Sequence, residues 1–327
     1  MSKIRVAICG YGNLGRGVEA EIAKNTDMEL VAVFTRREPA NALKIKADVP
    51  VVHIDAVAEW QYKIDVMILC GGSANDLPIQ GPALAKMFNT VDSFDTHAKI
   101  PEYFKNVDIS AKTGNNISIV SLGWDPGLFS VMKLYFSSII PKGQTVTFWG
   151  EGVSQGHSNA IRGIEGVENA VQYSIPVNKA IEKARNGEAD GLTTRDKHLR
   201  VCYVAVEEGA DTARIEKEIK EMPYYFADYD TTVHFITSEE LKAKHSKMMH
   251  GGNVIHVGQT GDKNRQSMEL SLKLDSNPEF TASVLLAYAR AAHRMSAKGE
   301  SGARTIFDIP PILLSNADVM ETIKNLL

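Results

Sequence analysis

A buried strand that runs into three spaced glycines and then a helix admits few folds. Ile4 to Cys9 is an almost continuous apolar run, the pattern of a parallel strand covered on both faces. Gly10-Tyr11-Gly12-Asn13-Leu14-Gly15 follows, and Leu14, Val18 and Ile22 then recur at helical spacing. A glycine triplet alone arises by chance; between a strand and a helix it marks a βαβ unit that binds a dinucleotide. Gly10 permits the tight turn, Gly12 lets the main chain approach a pyrophosphate, and Gly15 lets helix and strand pack closely. The helix N-terminus favours the bound anion. Tyr11, Asn13 and Leu14 complete the predicted cofactor turn.

The next strand, Glu29 to Phe34, decides which dinucleotide. An acid about 20 residues after the glycines accepts hydrogen bonds from the ribose hydroxyls of NAD. This chain has Thr35-Arg36-Arg37 there. A hydroxyl and two guanidiniums suit a 2′-phosphate, which a carboxylate would repel. The alternative is solvated surface charge, and Glu38 pulls the other way, but the position favours NADP. A third strand, Asp65 to Cys70, ends in Cys70-Gly71-Gly72-Ser73-Ala74, small residues beside which ribose and nicotinamide can pass.

Further alternation supports a doubly wound α/β domain: a helix through Pro82–Met87, a strand at Thr90–Asp92 and another at Ile117–Leu122. Beyond Pro141 the pattern becomes α+β, with a mixed or antiparallel sheet expected. Strands are predicted at Thr145–Trp149, Leu199–Val206, Thr231–Ile236 and Ser267–Leu274, with a helix at Asp211–Met222. A helix from Pro278 to Met295 and a last one over Asn316–Leu327 can return to the first domain. The expected division is 1–123 with about 278–327 for the dinucleotide, and 124–277 for substrate and dimerisation.

A formal net charge of −4 over 327 residues gives no overall pull toward nucleic acid or anionic membrane. No apolar run reaches the roughly 18 residues of a membrane span. The first residues enter a strand directly, without an export signal. Cys9, Cys70 and Cys202 fit neither a disulfide framework nor a metal site, so a reduced, cytoplasmic enzyme without metal is expected. Hydrolase and kinase signatures are absent.

In open α/β sheets ligands bind beyond the carboxyl ends of the strands. Two loops bring acids there, Ser93-Phe94-Asp95-Thr96-His97 and Gly123-Trp124-Asp125-Pro126-Gly127. Two carboxylates facing a hydride acceptor suit a cationic substrate such as an amino acid; each singly is equally explained as a loop cap. The stretches Trp149–Ser158 and His250–Asn253, polar and glycine-rich, read as binding loops.

At these loops the chain resembles the meso-diaminopimelate dehydrogenases. The likeness rests on Tyr11–Arg16, Gly123–Gly127, Phe148–Gly150, Ser154–Ser158, His250–Gly252, Leu274–Pro278 and Ala291–Met295. It implies a homodimer that oxidises the D-centre of meso-2,6-diaminopimelate with NADP, releasing ammonia. It implies that Asp95 and Asp125 meet the D-centre amine, with Trp149, Gln155 and Asn277 lining that end and Trp124 and Gly156 as further substrate contacts. Ser174, Arg200 and His250 would hold the distal L-carboxylate. The family often has threonine where this chain has Ser174. Arg200 admits a different reading, an internal salt bridge. Which acid takes the proton, and what His157 does, stay open. The rival functions are another NADP-dependent imine reductase, of the dihydrodipicolinate type, and a non-catalytic NADP sensor.

Overall fold

The computed structural model describes residues 2–38 and 42–327. They form two compact units, Met1–Val131 with Pro278–Leu327, and Met132–Asn277. The first unit opens with β1 (Ile4–Cys9), α1 (Asn13–Ile22), β2 (Met28–Thr35), β3 (Val51–His53), β4 (Val66–Leu69) and α2 (Leu77–Ala85). Then come β5 (Asn89–Asp92), α3 (Ile100–Gly114), β6 (Ile117–Ile119) and α4 (Leu128–Ile139), which runs into the second unit. That unit holds β7 (Gly143–Trp149), β8 (Gly152–Val153), α5 (Gln155–Arg162), β9 (Val167–Pro176), α6 (Asn178–Arg185) and α7 (Thr194–Lys197). It continues with β10 (His198–Val206), α8 (Thr212–Glu221), β11 (Asp230–Phe235), α9 (Ser238–Lys244), β12 (His250–Thr260) and β13 (Asn264–Leu274). The chain returns to the first unit through α10 (Asn277–Ser296), β14 (Gly302–Arg304) and α11 (Val319–Leu326).

The first unit is a parallel seven-stranded sheet in the order β14-β6-β5-β4-β1-β2-β3. Successive strand side chains face opposite ways, and β1 shows why its sequence is apolar throughout. Val6 and Ile8 join Val18 and Ile22 of α1 and the alanine-rich side of α10 in one core. Ala7 and Cys9 join Leu77 and Leu84 of α2 and Tyr103 and Val107 of α3 in the other. Helix α10 reaches α1 closely enough that a Cβ on Gly17 would lie 2.9 Å from the Pro278 carbonyl oxygen. Farther along α10, the buried Arg290 donates through Nε to Asp27 at 2.5 Å.

The second unit contains a mixed sheet, β11-β10-β9-β8, and an antiparallel one, β13-β12-β7. Only β10 and β11 pair in parallel.

Several elements differ from the sequence expectation. Helix α2 begins at Leu77 rather than near Pro82, because Pro78 in its first turn lacks only an N–H that a helix start does not use; Pro82 lies inside the helix. The stretch His250–Asn253 is the start of β12, not a loop. A Cβ on Gly251 would lie 2.1 Å from the Leu272 carbonyl oxygen, so the glycine marks a close partner strand. The segment Trp149–Ser158 is also not one loop: it contains β8, and Gln155, Gly156 and His157 form the first turn of α5, capped by Ser154. The last helix starts at Val319, where Asp318 caps the N–H groups of Met320 and Glu321.

Candidate active site

The strand order brings the predicted cofactor residues of the first unit to one edge of its sheet. Reading across the carboxyl ends, β2 presents Thr35-Arg36-Arg37, β1 the glycine turn, β4 Cys70–Ala74, β5 the Asp95 loop and β6 the Asp125 loop. The switch in strand order between β1 and β4 is where such sheets open a crevice for a nucleotide.

The glycines have different reasons to be glycine. Gly10 adopts φ +94°, and its N–H donates to the Phe34 carbonyl at 2.9 Å. A Cβ on Gly15 would stand 2.2 Å from the Gly10 oxygen, whereas one on Gly12 would meet nothing within 4 Å. That open space over Gly12, beside the N-terminus of α1, suits a pyrophosphate. Leu14 packs against the core. The Tyr11 side chain turns inward, its hydroxyl bonded to Glu19, whose other oxygen accepts the N–H groups of Lys46 and Ala47 at 2.7 Å.

At the end of β2 the Thr35 hydroxyl accepts the Arg37 N–H at 3.1 Å. Arg36 pairs with Asp76 at 2.7 Å, and the other Asp76 oxygen accepts the Gly72 N–H at 2.9 Å. Asp76 escaped sequence reasoning, although an acid four residues after Gly72 and before a helix is a visible signal. The Cys9, Cys70 and Cys202 thiols are free, and burial pushes each up, to about 12 for Cys9 and Cys202. Among the described residues no cluster of His, Cys, Asp or Glu can hold a metal.

The acid loops are tied together by a residue the sequence reading passed over. Asp92 closes β5 and is buried. Its Oδ1 accepts the N–H groups of Phe94 and Ser121, each at 3.0 Å, and its Oδ2 accepts the Tyr103 hydroxyl at 2.7 Å. Every contact donates to the carboxylate, as an ionised acid requires, while burial pushes its pKa upward. Asp95 is exposed, and its N–H donates to the Ser73 hydroxyl at 3.1 Å, linking this loop to the one after β4. Asp125 is half-buried and precedes a cis peptide bond to Pro126. Trp124 is buried edge-on to Phe129, with ring centres 5.2 Å apart.

In the second unit, β9 and β10 place Ser174 opposite Arg200. Both are buried, and the Arg200 guanidinium donates to the Ser174 hydroxyl. No acid pairs with Arg200 among the described residues, so the salt-bridge alternative falls away. Trp149 ends β7, where its N–H donates to His198 Nε2 at 2.9 Å and its ring lies 5.0 Å from the imidazole. Gln155 is exposed and donates to the Met248 sulfur at 3.6 Å, and the Asn277 N–H donates to the Met248 carbonyl at 2.9 Å. Gly156 is exposed in the first turn of α5, and His250 is half-buried, its Nδ1 accepting the Gly251 N–H at 2.9 Å. His157 bonds the Ser154 hydroxyl at 2.7 Å and packs edge-on to Tyr225 and Phe226. Burial, then the Arg200 charge, lower its pKa to about 4, and the same two causes lower His198 to about 3.

Residues 123–276 match the family described as "Diaminopimelic acid dehydrogenase C-terminal domain". Over 327 residues the chain is 58% identical to the meso-diaminopimelate D-dehydrogenase of Ureibacillus thermosphaericus, covering 100% of each. The solved structure of C. glutamicum DAP dehydrogenase in complex with DAP is similar at TM-score 0.94 and 45% identity, over 100% of both chains. An engineered D-amino acid dehydrogenase bound to NADP+ is similar at TM-score 0.90 and 44% identity, again over 100% of each.

Proposed function

Because the chain belongs to the meso-diaminopimelate dehydrogenase family, we propose that the parallel-sheet unit holds the cofactor and the second unit recognises the far end of the substrate. The protein is an NADP-dependent amino-acid dehydrogenase. It oxidatively deaminates the D-centre of meso-2,6-diaminopimelate to L-2-amino-6-oxopimelate and ammonia. The observation that carries the proposed division of roles is the order of the strand ends, with Thr35-Arg36-Arg37 and the glycine turn following β2 and β1 and the loops that carry Asp95 and Asp125 following β5 and β6.

In this reading the turn Gly10–Gly15 holds the pyrophosphate, and Thr35, Arg36 and Arg37 hold the 2′-phosphate. Cys70 to Ala74 pass beside the ribose and nicotinamide. The chemistry NADP supplies when bound is acceptance of a hydride from the D-carbon. That carbon releases hydride only when its amine is neutral, so a nearby carboxylate must take the ammonium proton, directly or through water. Asp125, the less exposed of the two acids, takes that role, and Asp95 holds the amine by charge. Water then adds to the substrate imine and ammonia leaves. Trp124, Trp149, Gln155, Gly156 and Asn277 enclose the D-end, while Ser174, Arg200 and His250 hold the distal carboxylate, so that one end of a meso compound faces the reaction. The enzyme works as a cytoplasmic homodimer. No helix among the described residues is long and apolar enough to cross a membrane.

The test is one assay. With NADP and meso-diaminopimelate, reduced-cofactor absorbance and ammonia rise together, and the LL isomer gives neither. Folded protein that shows no signal with the meso compound overturns the reading.

A further inference from the structure

Arg200 is a buried cation answered by no acid. It is 2% exposed, and its Nε has no hydrogen-bond partner. One contact holds an edge of the guanidinium, the bond to the Ser174 hydroxyl. A second residue, Tyr229, holds its face: Cζ lies 3.9 Å from the ring centre, and the phenol group also interacts with the guanidinium as a polar partner. The strand register sets Thr231 of β11 on the other side of Arg200 from Ser174, and the Thr231 hydroxyl is another buried polar atom without a partner. Nearby His157 and His198 are held neutral, so neither adds a second positive charge. An uncompensated buried guanidinium beside an unanswered hydroxyl is a demand for an anion.

The Ser174 bond taken alone would leave the guanidinium free to pivot, and a two-point contact with a carboxylate needs its plane fixed. An aromatic face supplies that, and adds cation–π attraction. The chain has built Tyr229 in firmly. It closes the turn before β11, with its N–H donating at 2.9 Å to the carbonyl of Phe226, a residue wholly buried in the core. Arg195 clamps the same turn, donating to Asp230 at 2.9 Å and to the Ala227 carbonyl at 3.2 Å.

We propose that Tyr229 is a positioning residue: its ring fixes the plane of Arg200 so that the free N–H edge meets the distal carboxylate of the substrate at two points, which sets the preference for a diacid. The proposal rests on the reading of Arg200 as the carboxylate-binding group. The ring face carries the positioning and the hydroxyl adds a polar contact to the same guanidinium, so Tyr229→Phe, which removes only the hydroxyl, keeps most of the function and Tyr229→Leu loses it.

The test measures kcat and KM for meso-diaminopimelate in Tyr229→Leu, Tyr229→Phe, Arg200→Met and the Tyr229→Leu/Arg200→Met pair, with NADP affinity alongside. In Tyr229→Leu, KM rises about tenfold and kcat falls far less. Tyr229→Phe, which keeps the ring face, stays much nearer the parent than Tyr229→Leu does, NADP affinity holds, and the double variant is no worse than Arg200→Met. Should the leucine protein not fold, Tyr229→Met removes the flat face while keeping bulk. An unchanged KM for Arg200→Met sinks the carboxylate reading itself. A raised KM for Arg200→Met with a normal one for Tyr229→Leu, or additive losses in the pair, sinks the positioning role alone.

Discussion

Arg36 and Asp76 are joined at 2.7 Å between the loop after β2 and the loop after β4, so the guanidinium predicted to read the 2′-phosphate has an acid partner within the protein. The Arg36 side chain is 64% exposed, and an exposed pair is worth at most about 1 kcal/mol. Asp76 therefore gives up Arg36 to a doubly charged phosphate at little cost. Arg36→Ala weakens NADP binding about tenfold or more, roughly 1.4 kcal/mol, and leaves NAD binding almost unchanged. Titration with both nucleotides checks this; equal losses would remove the phosphate role.

Gly12 and Gly15 separate cofactor from fold. Gly15→Ala drives a methyl into the Gly10 carbonyl, 2.2 Å away, and lowers the melting temperature even without nucleotide. Gly12→Ala has room in the protein, so it melts like the parent but binds NADP about tenfold less tightly. Thermal unfolding with and without NADP reads both effects. Loss of stability in the Gly12 variant would contradict the open cradle.

The acids are tested through Asp125 and Asp92. A general base contributes roughly a hundredfold to ten-thousandfold, so Asp125→Asn lowers kcat by about a hundredfold or more while NADP still binds. Parent-like kcat across the pH range would show that Asp125 is not the base. Asp92→Ala leaves the N–H groups of Phe94 and Ser121 unanswered, a cost of about 1–3 kcal/mol for each buried group. It lowers both thermal stability and kcat, whereas Asp92→Asn, which keeps an acceptor for those N–H groups, retains more of each.

Acid stability follows from His157. Its folded pKa is about 4 against an ordinary 6.5, so between these values the unfolded chain takes up a proton that the folded one refuses. Stability is full above pH 6.5 and falls as pH drops toward 4, by at most about 1.4 kcal/mol per pH unit. His198 adds the same sign down to about 3. Urea unfolding at pH 7 and pH 5 shows a drop in midpoint, and His157→Asn makes it smaller. An identical drop in that variant would remove His157 as its source.

The choice of cofactor was legible because its signals are local. A strand, three glycines, a helix and a charged strand end lie within the first 37 residues, and each carries its meaning in its neighbours. Sequence misjudged Gly251 for a related reason: a glycine that admits a partner strand looks locally like one that makes a loop. Asp92 and Asp76 passed unnoticed since a polar residue at a strand end is ordinary until its partners are known.

By itself, then, the sequence determined the doubly wound half and the preference for NADP, and placed two acids after its strands, while likeness to a family supplied the proposed distal residues. Only the tertiary structure decided where those residues sit and how deeply they are buried. Arg200 and Ser174 are 26 positions apart and meet through strand register. Whether an arginine is a solvated charge, half of an ion pair or a buried cation waiting for a carboxylate depends on what packs around it. Desolvation is a property of the folded surroundings, and no local pattern of residues encodes it.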